Sequence, residues 1–463
     1  MERTENNRDN KMGIMPVNKL LVTMSLPIIA SMLMQACYNI VDSIFVSRIV
    51  DEASVGSAGT DALTAVGYVF PFQTLMIAFS TGMGVGMSAL LSRALGEKDD
   101  ATVNKAAKNG LFLALCNTVF FMILGIFFAR QLILSQDGEG LALEYGVQYL
   151  RIVFIGAGGC CMQITLERLL QATGRTLLSM AVQMTGAIVN IILDPILIFG
   201  YFGFPEMRVA GAAVATITGQ FIGVALGIIL NLKYNKEIKF DFKGFRPDIA
   251  IIKKIYSVGL PSIIMQAIGS VMTFFMNKIL TSLNINSVAV FSVYFKLQSF
   301  FFMPLFGLNN GMIPIVAFNY GAKKRTRMVR TIKLSMVYAF TVMALGFIAF
   351  EVFPDRLLLL FDTKDDSLLT LGVPALKIIA VHFLLAWFCI ISLSVFQALG
   401  NGVYSLIVSA ARQLLVLLPV AYILSRIGGL DLVWWCFPIA ELMSVICSAG
   451  FLVKINKDII SKV

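Results

Sequence analysis

Apolar residues in this chain do not alternate with polar ones at a period that would give a helix or strand one wet face. They run instead in long blocks broken by short polar stretches. A block of about 18–20 apolar residues is long enough to cross a bilayer as a helix. The polar breaks delimit twelve such spans, at approximately 17–46, 62–90, 107–129, 145–171, 177–200, 209–231, 254–282, 287–317, 331–353, 370–399, 404–425 and 432–453. Several run well past the bilayer minimum, so tilt, kinks or extension beyond the hydrocarbon are expected. A soluble core would need as many helices without a polar face, which the pattern makes untenable.

The blocks repeat. Residues 71–98 align in register with 296–323: Gln73 falls on Gln298, Gly82 on Gly307, Gly86 on Gly311, Gly96 on Gly321 and Lys98 on Lys323. Further on, Leu150-Arg151 matches Leu376-Lys377, and Gln171-Ala172-x-Gly174 matches Gln397-Ala398-x-Gly400. The chain is a tandem duplication. Each half holds six spans, an even number, so both halves enter the membrane from the same side. The repeat is therefore parallel, with a pseudo-two-fold axis along the membrane normal. The expected fold is an all-α polytopic membrane protein of twelve transmembrane helices in two six-helix bundles. Residues 1–232 form the amino-terminal lobe, 233–254 a linker and 255–463 the carboxy-terminal lobe. Two like bundles about such an axis suit a secondary transporter with a central path open alternately to either side.

Composition agrees: 58% of the 463 residues are hydrophobic and only 14% charged, far from a soluble domain. The net charge of +10 would suggest nucleic acid in a soluble protein, but its distribution gives topology instead. Most Lys and Arg fall on one side: Arg3, Arg8, Lys11 and Lys19, the loop 93–108, the stretch from Lys233 to Lys254, the run Lys323–Arg327 and the tail from Lys454. The opposite loops carry Asp51-Glu52, Asp137-x-Glu139 and Asp365-Asp366. The positive-inside rule then places both termini and the linker in the cytoplasm, and removes the case for a nucleic-acid role. The seven cysteines show no metal-ligand spacing, and Cys160-Cys161 cannot easily bridge within a helix, so free thiols are expected. The first sixteen residues are polar and the first span is too long for a signal peptide.

Ionisable residues at bilayer depth are costly and usually face a functional interior. Asp42 lies six residues before Arg48 at the outer end of the first span, about 9 Å below it at the helical rise. Asp194 lies six before Gly200 at the outer end of the fifth span, at the same depth. Thr216 is about 12 Å into the sixth span, and Asn190 shares a helical face with Asp194 at i, i+4. Pro195 lacks the N–H that the carbonyl of Ile191 would receive. Two carboxylates, an amide, a hydroxyl and a loose carbonyl suit a proton relay or a hard cation such as Na⁺, with Asp42, Asp194 and Asn190 as its ligands. The competing reading is that Asn190, Asp194 and Thr216 only join packed helices. Glu167-Arg168 reads as a local ion pair or anchor, His382 as a packing histidine, and Lys296 as a snorkelling or acid-seeking cation. Charge within the spans of the second half is limited to Lys278, Lys296 and His382, with Arg412 the remaining cation. Gly82-x-Gly84-x-Gly86 allows close helix approach; no strand precedes it and no Lys-Ser follows, so it does not bind nucleotide. No catalytic constellation is present, and no cofactor is expected beyond a coupling ion. Abundant Phe (36) and Met (23) offer a soft surface for flat apolar cations.

Together these residues resemble the multidrug and toxic compound extrusion (MATE) family over essentially the whole chain. The resemblance is carried by residues 26–49 around Asp42, the QATGR turn at 171–175, NIILDP at 190–195, VGLPSIIMQ at 258–266 and the block 304–327 ending in its basic loop. It implies a twelve-helix exporter of the plasma membrane, monomeric, driven by an inward Na⁺ or H⁺ gradient and expelling cationic, often aromatic drugs. The DinF-like branch, which includes the MepA-type exporters, is most similar. Its coupling site uses an Asp in span 1, an Asn-x-x-x-Asp pair in span 5 and a Thr in span 6. These map onto Asp42, Asn190, Asp194 and Thr216, with Thr218 as the alternative to Thr216. The NorM-like branch places acids in spans 7 and 10, which have none in their cores here. A lipid-linked sugar flippase of the same superfamily is the alternative, and it would show a strongly cationic path. A membrane-embedded enzyme would need catalytic residues that are missing.

Overall fold

In the computed structural model residues 10–49, 58–136, 140–284, 286–359 and 366–462 are described. Arg3, Arg8, Asp51-Glu52, Asp137-x-Glu139, Asp365 and the side chain of Asp366 lie outside them. The regular elements among the described residues are all helices, without a strand. The first half runs α1 (Lys11–Ile14), α2 (Val17–Ser47), α3 (Ala58–Gly96), α4 (Asp100–Phe127), α5 (Ala129–Leu134), α6 (Gly140–Ile155), α7 (Ala157–Ala172), α8 (Thr176–Phe199) and α9 (Arg208–Tyr234). The second runs α10 (Ile249–Leu283), α11 (Asn286–Gly321), α12 (Arg325–Val352), α13 (Pro354–Leu359), α14 (Asp366–Ala380) and α15 (Phe383–Ala398). It continues through α16 (Gly402–Ala410), a π-helical turn at Ala411–Leu417, α17 (Leu418–Val433) and α18 (Cys436–Asp458). Ten helices are each long and apolar enough to cross a bilayer, and two bent pairs bring the number to twelve. Leu415, Ile427 and Val453 expose 70% or more of their surface, an outer face fitted to hydrocarbon rather than water.

The bent pairs are the fourth and tenth spans, equivalent in the repeat. α6 and α7 meet at 47°, α14 and α15 at 51°, where the apolar pattern gave continuous spans at 145–171 and 370–399. At the first break a Cβ on Gly156 would lie 2.7 Å from Ile217, so α9 presses into the bend. At the second the chain leaves the helix at Val381-His382, and His382 Nδ1 lies 2.6 Å from the Ile379 carbonyl. A carbonyl only accepts, so Nδ1 carries the proton there. Hydropathy alone registers length and cannot see such a bend.

The duplication is written into the backbone. Gly174 and Gly400 take φ of +85° and +83° as the left-handed residues that end α7 and α15. Each is followed by the same closing bond, Arg175 N–H to Leu170 O and Asn401 N–H to Phe396 O, both 2.7 Å. Lys98 and Lys323 also match, at +58° and +55°.

Two compact units emerge. One comprises Met1–Ile29, Ser92–Lys98 and Ser257–Val463; the other Ala30–Leu91 and Asp99–Tyr256. In the first unit the repeat glycines permit close crossings. A Cβ on Gly307 would sit 2.9 Å from the Cα of Ile29, and one on Gly311 3.0 Å from that of Ser25. Equivalent Gly96 and Gly321 cross reciprocally: a Cβ on either would strike a backbone carbonyl, of Phe318 or of Arg93. Arg327 donates to the carbonyls of Met12 (3.1 Å) and Met15 (2.6 Å), and Lys324 to Gly13 (2.9 Å). Cations thus hold the carbonyl end of α1. The second unit centres on buried Tyr149, Phe121 and Phe154, with α9 seated against α6, α7 and α8. Its Asn235–Asp248 segment docks on α4: Asn104 accepts from Lys239 N–H at 2.6 Å, Asn109 from Asp248 N–H at 2.9 Å, and Lys105 pairs with Asp248.

Candidate functional site: a buried acidic cluster

The second unit brings Asp42, Asn190, Asp194 and Thr216 together. α8 packs most extensively on α9, because small residues let the backbones meet. A Cβ on Gly219 would lie 2.5 Å from the Gly186 carbonyl, and one on Gly211 2.5 Å from the Leu197 carbonyl. Between these two contacts Asn190 and Asp194 face Thr216. Asp194 is fully buried, Asn190 and Thr216 nearly so. Asn190 Nδ2 donates to Asp194 Oδ1 (3.3 Å) and to Thr216 Oγ1 (3.2 Å), so its two N–H bonds tie α8 to α9. Thr218 turns away and donates to the Val214 carbonyl of its own helix at 2.7 Å, which selects Thr216 over it.

Asp42 enters from α2 and lies within electrostatic reach of Asp194. Neither acid forms an ion pair among the described residues. Three buried oxygens find no hydrogen-bond donor: Asp42 Oδ1, Asp194 Oδ2 and Asn190 Oδ1. Buried acceptors are almost always satisfied, and here three go unanswered on two acids and an amide with no ion-pair partner among the described residues. No group of three or more His, Cys, Asp and Glu placed to hold a metal occurs among the described residues. The donor set here is instead two carboxylates with amide and hydroxyl oxygens, hard ligands suited to a monovalent cation or a proton.

Two tyrosines escaped the reading of the sequence. Tyr38, one turn before Asp42 on α2, lies within electrostatic reach of both acids; its i, i+4 spacing was the available signal. Tyr149 from α6 reaches the Thr216 hydroxyl and is 2% exposed. Nothing local in the sequence marks it. Seven residues before Asn190 and Asp42, Gln183 donates to Gln35 at 2.8 Å, joining α8 to α2.

The remaining candidates lie elsewhere. Glu167 accepts from Gln163 (2.9 Å) and Arg168 donates to Gln171 (3.1 Å), a local network around α7. Gly84 of the glycine set meets the aliphatic stem of Arg168 rather than a backbone. His382 is buried among Phe302, Phe383 and Phe437, as a packing residue at the span break. Lys296 is exposed. The second half also holds an acid beyond Lys278, Lys296, His382 and Arg412, which corrects that inventory. Glu441 on α18 is 3% exposed, and its Oε2 accepts from Arg412 Nη1 at 3.1 Å. A lone acid mid-span was the signal.

The MatE family profile matches residues 27–196 and 261–423, well over half the chain and both copies of the repeat. The chain belongs to the MatE family. It is 27% identical over 423 residues to the multidrug export protein MepA of Staphylococcus haemolyticus, covering 91% of this chain and 90% of that protein. It is 26% identical over 445 residues to MepA of Staphylococcus aureus strain MRSA252, covering 96% and 95%. Among solved structures it resembles an outward-facing multidrug resistance MATE family transporter of the MOP superfamily, with a TM-score of 0.88, 26% identity and full coverage of both chains. These relatives are transporters, not enzymes, and the family's two-lobe, all-helical fold is the one seen here.

Proposed function

We propose that this MatE protein is a multidrug efflux antiporter of the plasma membrane that exports organic cations, often aromatic, against an inward flow of H⁺ or Na⁺. Its termini face the cytoplasm, by the distribution of Lys and Arg. The names of the MepA relatives support drug export. The observation that carries the coupling is the acidic cluster: Asp42 and Asp194 share a buried site with no base beside them and three oxygens without donors. Two carboxylates so placed repel each other, and a bound proton or Na⁺ relieves that repulsion while satisfying the orphaned oxygens.

The residues divide the work by geometry. Asn190 fixes Asp194 Oδ1 and leaves Oδ2 free to hold the ion, while Thr216 of α9, itself reached by Tyr149 of α6, holds Asn190 in place. Asp42 lies on a different helix, α2, so ion binding changes the energy of docking α2 onto α8. Export then requires that drug and ion favour different conformations, since only differential affinity can drive the exchange. The test is drug efflux from vesicles under an imposed Na⁺ gradient and then an imposed pH gradient, with Asp42→Asn and Asp194→Asn beside wild type. Gradient-driven efflux by both variants at the wild-type rate would move coupling elsewhere.

A further inference from the structure

In the second half, α10 and α17 flank a half-open cavity of about 610 Å³. From α10 it is lined at i, i+3, i+4 and i+7 by Phe275, Lys278, Ile279 and Ser282, one continuous helical face. From α17 come Tyr422, Ser425 and Arg426, with Leu418 one turn below. Its described lining thus holds two cations and three hydroxyls over an apolar floor, and no carboxylate. Arg426 is oriented by Tyr422, donating to the phenol oxygen at 3.3 Å with the guanidinium 5.2 Å from the ring centroid. Two residues on, α17 breaks at Gly428-Gly429, where Gly429 adopts φ +64° and ψ −147°. Lys278 lies five residues inside the end of α10, about 7–8 Å along the axis.

The repeat sharpens the point. Leu26-Pro27 of α2 corresponds to Leu260-Pro261 of α10; Asp42 follows its proline by fifteen residues and Lys278 by seventeen. Gly174 before α8 corresponds to Gly400; Asp194 follows its glycine by twenty residues and Arg426 by twenty-six. The helices that carry the acids of the first half therefore carry, within two turns of the same level, bases in the second.

We infer that this cavity is a binding site for an amphiphilic anion, a phosphate or carboxylate group on an apolar body. Lys278 and Arg426 receive the anionic group, the Tyr422 hydroxyl adds a hydrogen bond, and Phe275, Ile279 and Leu418 bed the apolar part, while Ser282 and Ser425 keep their hydroxyl protons on the Ile279 and Tyr422 carbonyls. Arg and Lys converging on one anion give charge-assisted bonds, the strong kind. The inference does not depend on ion coupling in the first half.

The purified protein in phosphatidylcholine nanodiscs is titrated by calorimetry with 1-naphthyl phosphate, against inorganic phosphate and 1-naphthol as controls for charge and apolar body alone. Wild type is expected to bind naphthyl phosphate and neither control. In Lys278→Ser/Arg426→Gln, two exposed positions whose change spares the core, the dissociation constant rises about tenfold or more. Asp42→Asn leaves it unchanged. Suppressed binding in nanodiscs containing phosphatidylglycerol identifies the natural occupant as an anionic lipid headgroup; undiminished binding identifies a soluble anion. Equal affinity in the double variant and wild type, or no binding in any nanodisc, overturns the assignment.

Discussion

The two halves share helices, turns and left-handed residues, yet their buried polar clusters are built on opposite electrostatic plans. In the first half Asp42 and Asp194 meet without a base and leave oxygens unanswered. In the second, Glu441 on α18 pairs its Oε2 with Arg412 from the π-helical turn and leaves only Oε1 without a donor, with His382 and Tyr294 within electrostatic reach. A neutralised pair has little to gain from an incoming ion, because a further charge would be left unbalanced in a medium of low dielectric. An unneutralised pair of acids gains a great deal. The same scaffold thus holds one cluster whose acids have no basic partner among the described residues and one that supplies its own cation.

The largest effect that bears on this contrast is expected at the acids themselves. Asp42→Asn and Asp194→Asn keep shape and an acceptor oxygen but lose the charge. Gradient-driven drug efflux should fall to background in each, while the thermal midpoint of the purified protein moves by no more than about 2–4 °C. A midpoint that collapses along with efflux would make the first cluster as structural as the second.

Next comes the ion pair. Arg412→Met leaves Glu441 uncompensated and is expected to cost about 3–5 kcal/mol, read as loss of folded, monodisperse protein. Arg412→Met with Glu441→Gln should recover most of that stability and transport with unchanged ion coupling. A stable double variant that has lost coupling would erase the distinction between the clusters.

Smaller effects test the scaffold of the acidic site. Asn190→Ala removes both donated bonds and should weaken the apparent affinity for the coupling ion by about tenfold, at a stability cost of about 1–3 kcal/mol. Thr216→Val should act in the same direction but less, and Thr218→Val not at all. Equal effects at 216 and 218 in transport titrations would deny Thr216 its place.

The smallest concerns the start of α10, outside both clusters. Lys105, with the N–H groups of Ile251 and Ala250, holds the Asp248 carboxyl below the usual carboxylate range. A depressed folded-state pKa gives stability that is present above the unfolded value near 4 and lost as pH falls below it. Asp248→Asn should therefore lower the midpoint by about 1–3 °C at neutral pH, a difference that vanishes below about pH 4. A gap that persists in acid would rule out the ionised carboxylate as its source.

Much of this was legible in the residue order because a bilayer imposes a simple rule: a span must be apolar over a fixed length, and apolar length is a one-dimensional property. The spans, the duplication and the cost of a buried acid follow from composition along the line, and so the residue order alone points to Asp42, Asn190, Asp194 and Thr216. Left-handed Gly174 and Gly400 were visible as a repeated motif for the same reason: the constraint is local. What only the tertiary structure decided is which side chains look at one another. Tyr149 joins the site through packing of α6 on α9, the bends at Gly156 and His382 arise from neighbouring helices and a local carbonyl partner, and Arg412 finds Glu441 from a different span. Lys278 and Arg426, more than a hundred residues apart in sequence, share a cavity only because α10 and α17 stand side by side. Contacts between distant segments depend on helix rotation and crossing, which hydropathy along a span leaves free and close packing of small residues fixes.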